Sequence, residues 1–557
     1  MTEKYTAILS IHGIGRHRRH ANAGALLSAL EAGAAGRDSA DLHTIIQVRP
    51  GIEPPRDAGL DSDVPMLQLN RARREGGKLA IGAAFRVYEA NWSPDTRARM
   101  PLRSMLTWTT ALLASAFRRE PSNWARWSRL RLARLRLAAD PVSEPGERHA
   151  LAVLASAYRN YRGSLGAIHR AANRSKPRFA DFVTFAKSHA GEAVVAGRLE
   201  AGAQAWQRTR LPCEARVRSA ARTALGGVLL VALIGSAAAV PFLTDADVGR
   251  FTHSAIPALL CLAAVLALVL AGRFLTTVFS DVRYWSALNE NDKFHETRNA
   301  VLERAISMIR HLVSDPACVR VVIVSHSLGT AIAYDALRAI GLHNLARAAT
   351  PGQLIEIRKV DCLITLGSPI DKLALLFETS GGRSFREELM REELRGDLST
   401  LPFWVKGKQR IAWLNFWDPA DPISDPLYGP LGTKPVGDRF VDTAIENIEV
   451  ANTRLFDPGG SHTKYLANPA VASRIFDEVF RPKLLSSPSK PIPAIHRRRS
   501  RWLLRLAFAS FSIVLAGFTT AHFMPSSWIF EMVLGAGFFC LFVSAIWLLI
   551  LAALHRT

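Results

Sequence analysis

Residues 319–337, VRVVIVSHSLGTAIAYDAL, decide how the chain is read. Val321, Val322, Ile323 and Val324 are all β-branched, the pattern of a parallel strand buried on both faces. Ser325, His326, Ser327, Leu328 and Gly329 follow, and Thr330–Leu337 then reads as a helix with Ala, Ile and Leu on one face. A strand that turns at once into a helix through small-x-Ser-x-Gly is the setting of a nucleophile elbow. Small residues at its ends let strand and helix approach, and the serine is presented at a helix N-terminus that favours developing negative charge. The first position holds Ser325 where glycine is usual; a plain strand-to-helix loop whose serine caps the helix is the alternative.

A serine nucleophile needs a base, an acid to orient the base, and an oxyanion hole. The opening YTAILSIHGIG, residues 5–15, gives a strand over Thr6–Ile11 ending in His12-Gly13-Ile14-Gly15. Glycines in such a turn let backbone N–H groups bend toward a ligand, so Gly13 or Ile14, with Leu328 after the serine, are the candidate oxyanion donors. His12 belongs to this turn, and His326, beside the serine, reads as pointing away from it. RIAWLNFW, 410–417, is another strand, and DPADPISDP follows it. Carboxylates just past the C-terminal end of a strand sit where open α/β sheets build their sites. Asp418, Asp421 and Asp425 all qualify by position; Asp421 is preferred, with Asp418 second. DPGGSHTKYL, 457–466, reads as a glycine-rich loop with His462 as the base, ahead of a helix-like run. KVDCLITLGSPI, 359–370, gives a strand turning at Gly367-Ser368-Pro369, and FRVYEANWSP, 85–94, alternates like a strand near the sheet edge.

The chain has 557 residues, is 49% hydrophobic and carries a formal charge of +22. Four apolar runs account for much of this: Thr223–Leu243, Ser254–Gly272, Leu506–Met524 and Trp528–Leu554. Each is about long enough to span a bilayer of roughly 30 Å, and they form two close pairs, so two transmembrane hairpins are expected. The loops within the hairpins, 244–253 and 525–527, hold one arginine, whereas the outer flanks carry HRRRSR at 496–501, Arg283 and Arg556. The positive-inside bias then puts both termini and the long segments in the cytoplasm, and anionic lipid takes up the excess charge. No nucleic-acid-binding signature accompanies the basicity, and the spans, which carry one acid, Glu531, hold almost none of the ionisable residues of a transport site. The opening residues do not read as a signal peptide. Cys261 and Cys540 fall in the apolar runs, and Cys213, Cys318 and Cys362 lack metal spacing, so neither disulfides nor a metal or other cofactor is expected. Ala- and Arg-rich usage points to a bacterium of high GC content, hence its inner membrane. Oligomeric state has no sequence signal.

The pieces IHGIG, VIVSHSLGTAIAYDAL, LITLGSPI, NFWDPADPIS and GGSHTKYL, spread from the N-terminus to about residue 466, resemble the α/β-hydrolase superfamily, in particular membrane-bound lipase-like serine esterases. The SHSLGT and LGSP pair is also distantly similar to DDHD-type phospholipases and GPI inositol-deacylases. The resemblance implies an α/β-hydrolase fold, a mostly parallel sheet flanked by helices, and a triad in chain order: Ser327 attacks, His462 is general base and then acid, and Asp421 holds the imidazole. The expected organisation is a first part of the core at 1–100 and a helical insertion at 101–222, in which 122–137 reads as a lid or interfacial helix or as a solvated basic helix packed on the core. A transmembrane hairpin at 223–278 follows, then the rest of the core at 279–483, a basic linker at 484–501 and a second hairpin at 502–554. Anchoring favours a lipid or other lipophilic ester as substrate. An inactive membrane scaffold and an acyltransferase using the same triad remain alternatives.

Overall fold

A computed structural model of the chain describes residues within 4–92, 282–373 and 402–480. Short breaks fall at 14–19, 36–44, 61, 76–77, 288–291, 293, 348–351, 353, 406–407, 422, 428–433, 437–438, 442–444 and 454–457. The insertion 101–222, both hairpins and the linker 484–501 lie outside the described residues. Among the described residues no helix is long and apolar enough to cross a membrane.

The protein is α/β. Its main sheet has eight strands: β1 (Tyr5–Ile11), β2 (Ile45–Glu53), β3 (Val64–Glu75), β4 (Lys78–Ala90), β5 (Cys318–His326), β6 (Val360–Leu366), β9 (Ala412–Trp417) and β12 (Ile445–Glu449), in the order β12-β9-β6-β5-β1-β4-β3-β2. Two short antiparallel ladders lie apart, β7 (Trp404–Val405) with β8 (Lys408–Gln409) and β10 (Lys434–Val436) with β11 (Arg439–Val441). From β12 to β4 every neighbour is parallel; β3 runs against both β4 and β2. The strand read near the sheet edge in 85–94 lies two strands in from it. It is the end of β4, paired with β1 on one side and β3 on the other.

Helices cover both faces: α1 (Ala21–Ala35), α2 (His295–Ser314), α3 (Leu328–Ala346), α4 (Pro458–Thr463) and α5 (Pro469–Phe480). Alternation along each strand explains the two core layers. Tyr5, Ala7, Leu9 and Ile11 of β1, with Val321 and Ile323 of β5, face α2 and α3. Ile8, Val322, Val324, Ile364 and Phe416 face α1 and α5. The last helix begins by its own chemistry: the side chain of Asn468 accepts from the N–H of Ala470, and Pro469 takes the first position, where no N–H is needed. It ends on Arg320, whose guanidinium donates to the carbonyls of Glu478 and Val479 at 2.8 and 3.0 Å.

The two distant parts of the sheet are joined by a buried polar cluster on the α2 side. Tyr5 donates to Asp315 at 2.8 Å, across 310 positions of sequence. Arg56 reaches both Glu53 (2.9 Å) and Asp315 (3.1 Å), while Arg86 and Tyr88 also donate to Glu53. Burial opposes ionisation of Glu53, but hydrogen bonds from His311 and Arg56 and the charges of Arg86 and Arg56 outweigh it, and its carboxyl is held at about 2 rather than 4.5. The unfolded chain then takes up this proton at higher pH than the folded one. The carboxylate's contribution is complete above about pH 4.5 and is lost as pH falls toward 2. Glu53→Gln is expected to cost about 2 kcal/mol at pH 7, read as a lower thermal midpoint. The gap to the unsubstituted protein should close between pH 5 and 2; a gap independent of pH would contradict this account.

Candidate active site

Six parallel strands end along one edge of the sheet, and their outgoing turns bring the site together. The turn after β1 supplies Gly13, that after β5 Ser327, and that after β6 Gly367 and Ser368. Past β9 comes the Asp418–Asp425 loop, and past β12 come Asn452 and α4.

Ser327 has φ +53°, a left-handed backbone that is uncommon for a side chain other than glycine. Three contacts hold it there. Its N–H donates to the carbonyl of Leu366 (2.9 Å), and its own carbonyl accepts from the N–H (3.0 Å) and the hydroxyl (2.7 Å) of Thr330. The glycines on either side explain the closeness. A methyl on Gly13 would lie 2.6 Å from Cβ of Ser327, and one on Gly329 would lie 2.3 Å from the carbonyl oxygen of His12. Ser325 replaces the usual first glycine without cost to satisfaction, because its buried hydroxyl donates to Ile364 on the next strand at 3.2 Å.

The hydroxyl of Ser327 donates to Nε2 of His462 at 2.9 Å, and Nδ1–H of His462 donates to Oδ2 of Asp421, also at 2.9 Å. A carboxylate only accepts, so the shared bond fixes the proton on Nδ1 and leaves Nε2 free to take the serine's. The Asp421 side chain is 0% exposed and that of His462 13%, so the acid is enclosed while the imidazole edge stays open. Burial raises the carboxyl's proton affinity. It is outweighed by the His462 hydrogen bond and charge, the Ile423 N–H and the Tyr465 hydroxyl, which together hold Asp421 below the usual carboxylate value. Asp418 is not against the imidazole: its oxygens accept from the N–H groups of Ala420 (2.7 Å) and Asn452 (2.8 Å). Asp425 faces Lys372 at 3.3 Å.

Leu328 opens α3, so its N–H belongs to the first turn, which has no intrahelical carbonyl to bind. Gly13 lies against Ser327; Ile14 is outside the described residues. His12 braces the turn, stacked on Trp92 at 4.6 Å and donating to the carbonyl of Gly13 at 2.9 Å.

Two expectations need correction. Residues 458–463, read as loop, form the short helix α4, and His462 lies within it. His326 does not point away: its Nε2–H donates to the carbonyl of His462 at 2.8 Å, and the two rings are 5.0 Å apart. Asn452 holds the preceding carbonyl, of Ser461, at 2.6 Å. Residues from two turns thus fix the helix that carries His462. Sequence reading also passed over Tyr465, whose hydroxyl reaches Oδ2 of Asp421 at 2.9 Å. Its spacing of three from His462 was the only signal. Among the described residues no group of His, Cys, Asp or Glu could hold a metal ion.

No protein-family model matches the chain, and neither the curated proteins nor the solved structures provide a match. The site therefore rests on its own geometry.

That geometry makes a distinction between glycines. Gly329→Ala should cost about 2 kcal/mol or more, because its methyl would meet fixed backbone at 2.3 Å. Gly24→Ala, in α1, has nothing within 4 Å and should stabilise by about 0.5–1 kcal/mol. Denaturant unfolding of the two variants reads the contrast; equal effects would refute the tight packing at the serine turn.

Proposed function

We propose that the chain is a serine hydrolase of the α/β-hydrolase type that cleaves carboxylic esters through an acyl-enzyme. The observation that carries this reading is the continuous chain Ser327–His462–Asp421, two 2.9 Å hydrogen bonds ending on a serine in a left-handed turn. In it, Oγ of Ser327 attacks the ester carbonyl carbon as Nε2 of His462 takes the hydroxyl proton. The carbonyl oxygen gains the electron pair and is met by the N–H groups of Leu328 and of Gly13, or Ile14. The tetrahedral adduct collapses, the alkoxide leaves with the proton from Nε2, and an ester of Ser327 remains. Water repeats the sequence, giving up its proton to Nε2 and releasing the acid. Asp421 stays ionised throughout and stabilises the imidazolium.

The substrate class follows from the apolar runs. Four segments of spanning length, in two pairs with arginine outside them, support an enzyme anchored by two hairpins with its core on the cytoplasmic side. A tethered site meets membrane lipid at high effective concentration, so a lipid ester is the favoured substrate, cut at an acyl position.

Detergent-solubilised full-length protein is expected to react covalently with a fluorophosphonate, and Ser327→Ala to abolish the label. His462→Gln and Asp421→Asn should each slow labelling by about 10³-fold or more while leaving the unfolding midpoint close to that of the parent. An intact, folded chain that does not label would overturn the reading.

A further inference from the structure

Among the described residues, a buried side chain outside the relay bonds to the Asp421 carboxylate and has no part in the mechanism above. Tyr465 is 0% exposed. Its hydroxyl has three close polar neighbours: Oδ2 of Asp421 at 2.9 Å, the N–H of Asp418 at 3.0 Å and the hydroxyl of Ser424 at 3.0 Å. Each hydroxyl has a single proton to give. The Asp418 N–H can only donate and the carboxylate can only accept. The tyrosine proton therefore goes to Asp421, and the Ser424 hydroxyl, which also lies 3.4 Å from the Asp418 carbonyl, makes its shorter contact as donor to the tyrosine oxygen. Two donors on that oxygen make it a stronger donor in turn. The oxygen it reaches, Oδ2, is the one that also accepts from Nδ1–H of His462. The ring is fixed as closely as the hydroxyl: a methyl on Gly367, which has φ +63°, would lie 2.8 Å from the edge of Tyr465 and 3.3 Å from Nδ1 of His462.

We propose that Tyr465 is a positioning residue for the relay, fixing the rotation of the Asp421 carboxylate and drawing off part of the negative charge that the His462 imidazole faces. The inference rests on the hydrolase reading for its catalytic meaning, though not for its geometry. By donating to Oδ2, the tyrosine weakens the hold of the carboxylate on the imidazolium, so the base can pass its proton on to the leaving group. Removing the hydroxyl has a definite sign. Oδ2 keeps more charge, the protonated imidazole is held more tightly, and the base form appears only at higher pH. The other groups around the imidazole are unchanged by that substitution. His326 from β5 binds the His462 carbonyl, and the Asp418 carboxylate is engaged by Ala420 and Asn452.

The test compares full-length protein with Tyr465→Phe, which keeps the ring and loses only the hydroxyl. Two readouts are used: the pH dependence of inactivation by a fluorophosphonate, and the titration of the His462 ring followed by NMR, with the signal assigned through His462→Gln. The expected result is an acid limb and an NMR midpoint both moved up by about 0.5–1 pH unit, with a fall of about 3- to 10-fold in the plateau rate. Ser424→Ala, which removes one donor from the tyrosine oxygen, should move both the same way by less. It serves in place of Tyr465→Phe if that variant does not fold. Labelling of the parent protein with both curves unmoved in the variant would overturn the role of Tyr465 and leave the hydrolase reading intact. A parent protein that never labels would sink the hydrolase reading. The NMR midpoint would then decide the tyrosine's coupling alone: a shift supports it and no shift refutes it.

Discussion

The left-handed backbone of Ser327 is the constraint around which the site is built. Such a conformation costs about 1–3 kcal/mol and persists only where the surroundings leave no alternative. Here they do so from three directions. Leu366 on the neighbouring strand takes the serine's N–H, Thr330 in the following helix takes its carbonyl twice, and Gly13 closes the space beside its Cβ. The strain is useful because it turns the hydroxyl out of the strand direction, toward the imidazole. A relaxed turn at the same place would cap α3 with the serine, and the hydroxyl would then be spent on its own helix.

That turn is only as rigid as the three strands whose ends form it, and these come from distant parts of the chain. β1 pairs with β5 in parallel, and the Tyr5–Asp315 hydrogen bond spans 310 residues. The loop-closure cost of such a join grows only logarithmically with length, so a long intervening segment is tolerated provided the junction is strong. The junction is strong because it is buried and charged. Glu53 and Asp315 are ringed by Arg56, Arg86, His311 and two tyrosines, and breaking one member leaves its partners buried without compensation. The polar cluster under α2 and the serine turn at the strand ends are thus parts of one arrangement, with the cluster holding the register that the turn uses.

Much of this was legible along the chain wherever the signal was local. The β-branched run before Ser327, the small residues around it, the strand before Gly367 and the acids after Trp417 are short-range patterns, and the strands β5, β6 and β9 with helix α3 lie where those patterns put them. The misses share a cause: each depended on a partner in another strand or turn. Residues 85–90 alternate because Phe85, Val87 and Tyr88 meet different core layers, not because one face is wet, so β4 is interior. Gly459 and Gly460 argue against a helix at 458–463 on propensity alone. Asn452 and His326 hold the carbonyls of Ser461 and His462, and tertiary contact fixes what propensity disfavours. His326 and Tyr465 lie within quoted stretches, but what each does is set by an atom on another strand's loop, which no local pattern carries.

The loop after β9 shows how such distant partners divide roles among residues that sequence cannot tell apart. Asp418, Asp421 and Asp425 are all buried, and each lies just before a proline or a turn. Asp418 spends both oxygens on backbone N–H groups, one in its own turn and one beyond β12, so it joins the loop of Asp421 to the strand that leads to α4. Asp425 is drawn to Lys372. Asp421 alone has one oxygen on a backbone N–H, that of Ile423, and the other turned to two side chains, His462 and Tyr465. A carboxylate anchored through one oxygen is oriented yet keeps the other for a proton-bearing partner, which is what orienting an imidazole requires. The distinction lies in which N–H groups remain unclaimed once the loop has folded, and Asp418, by claiming two, is what shapes that loop to leave Asp421 in reach of His462.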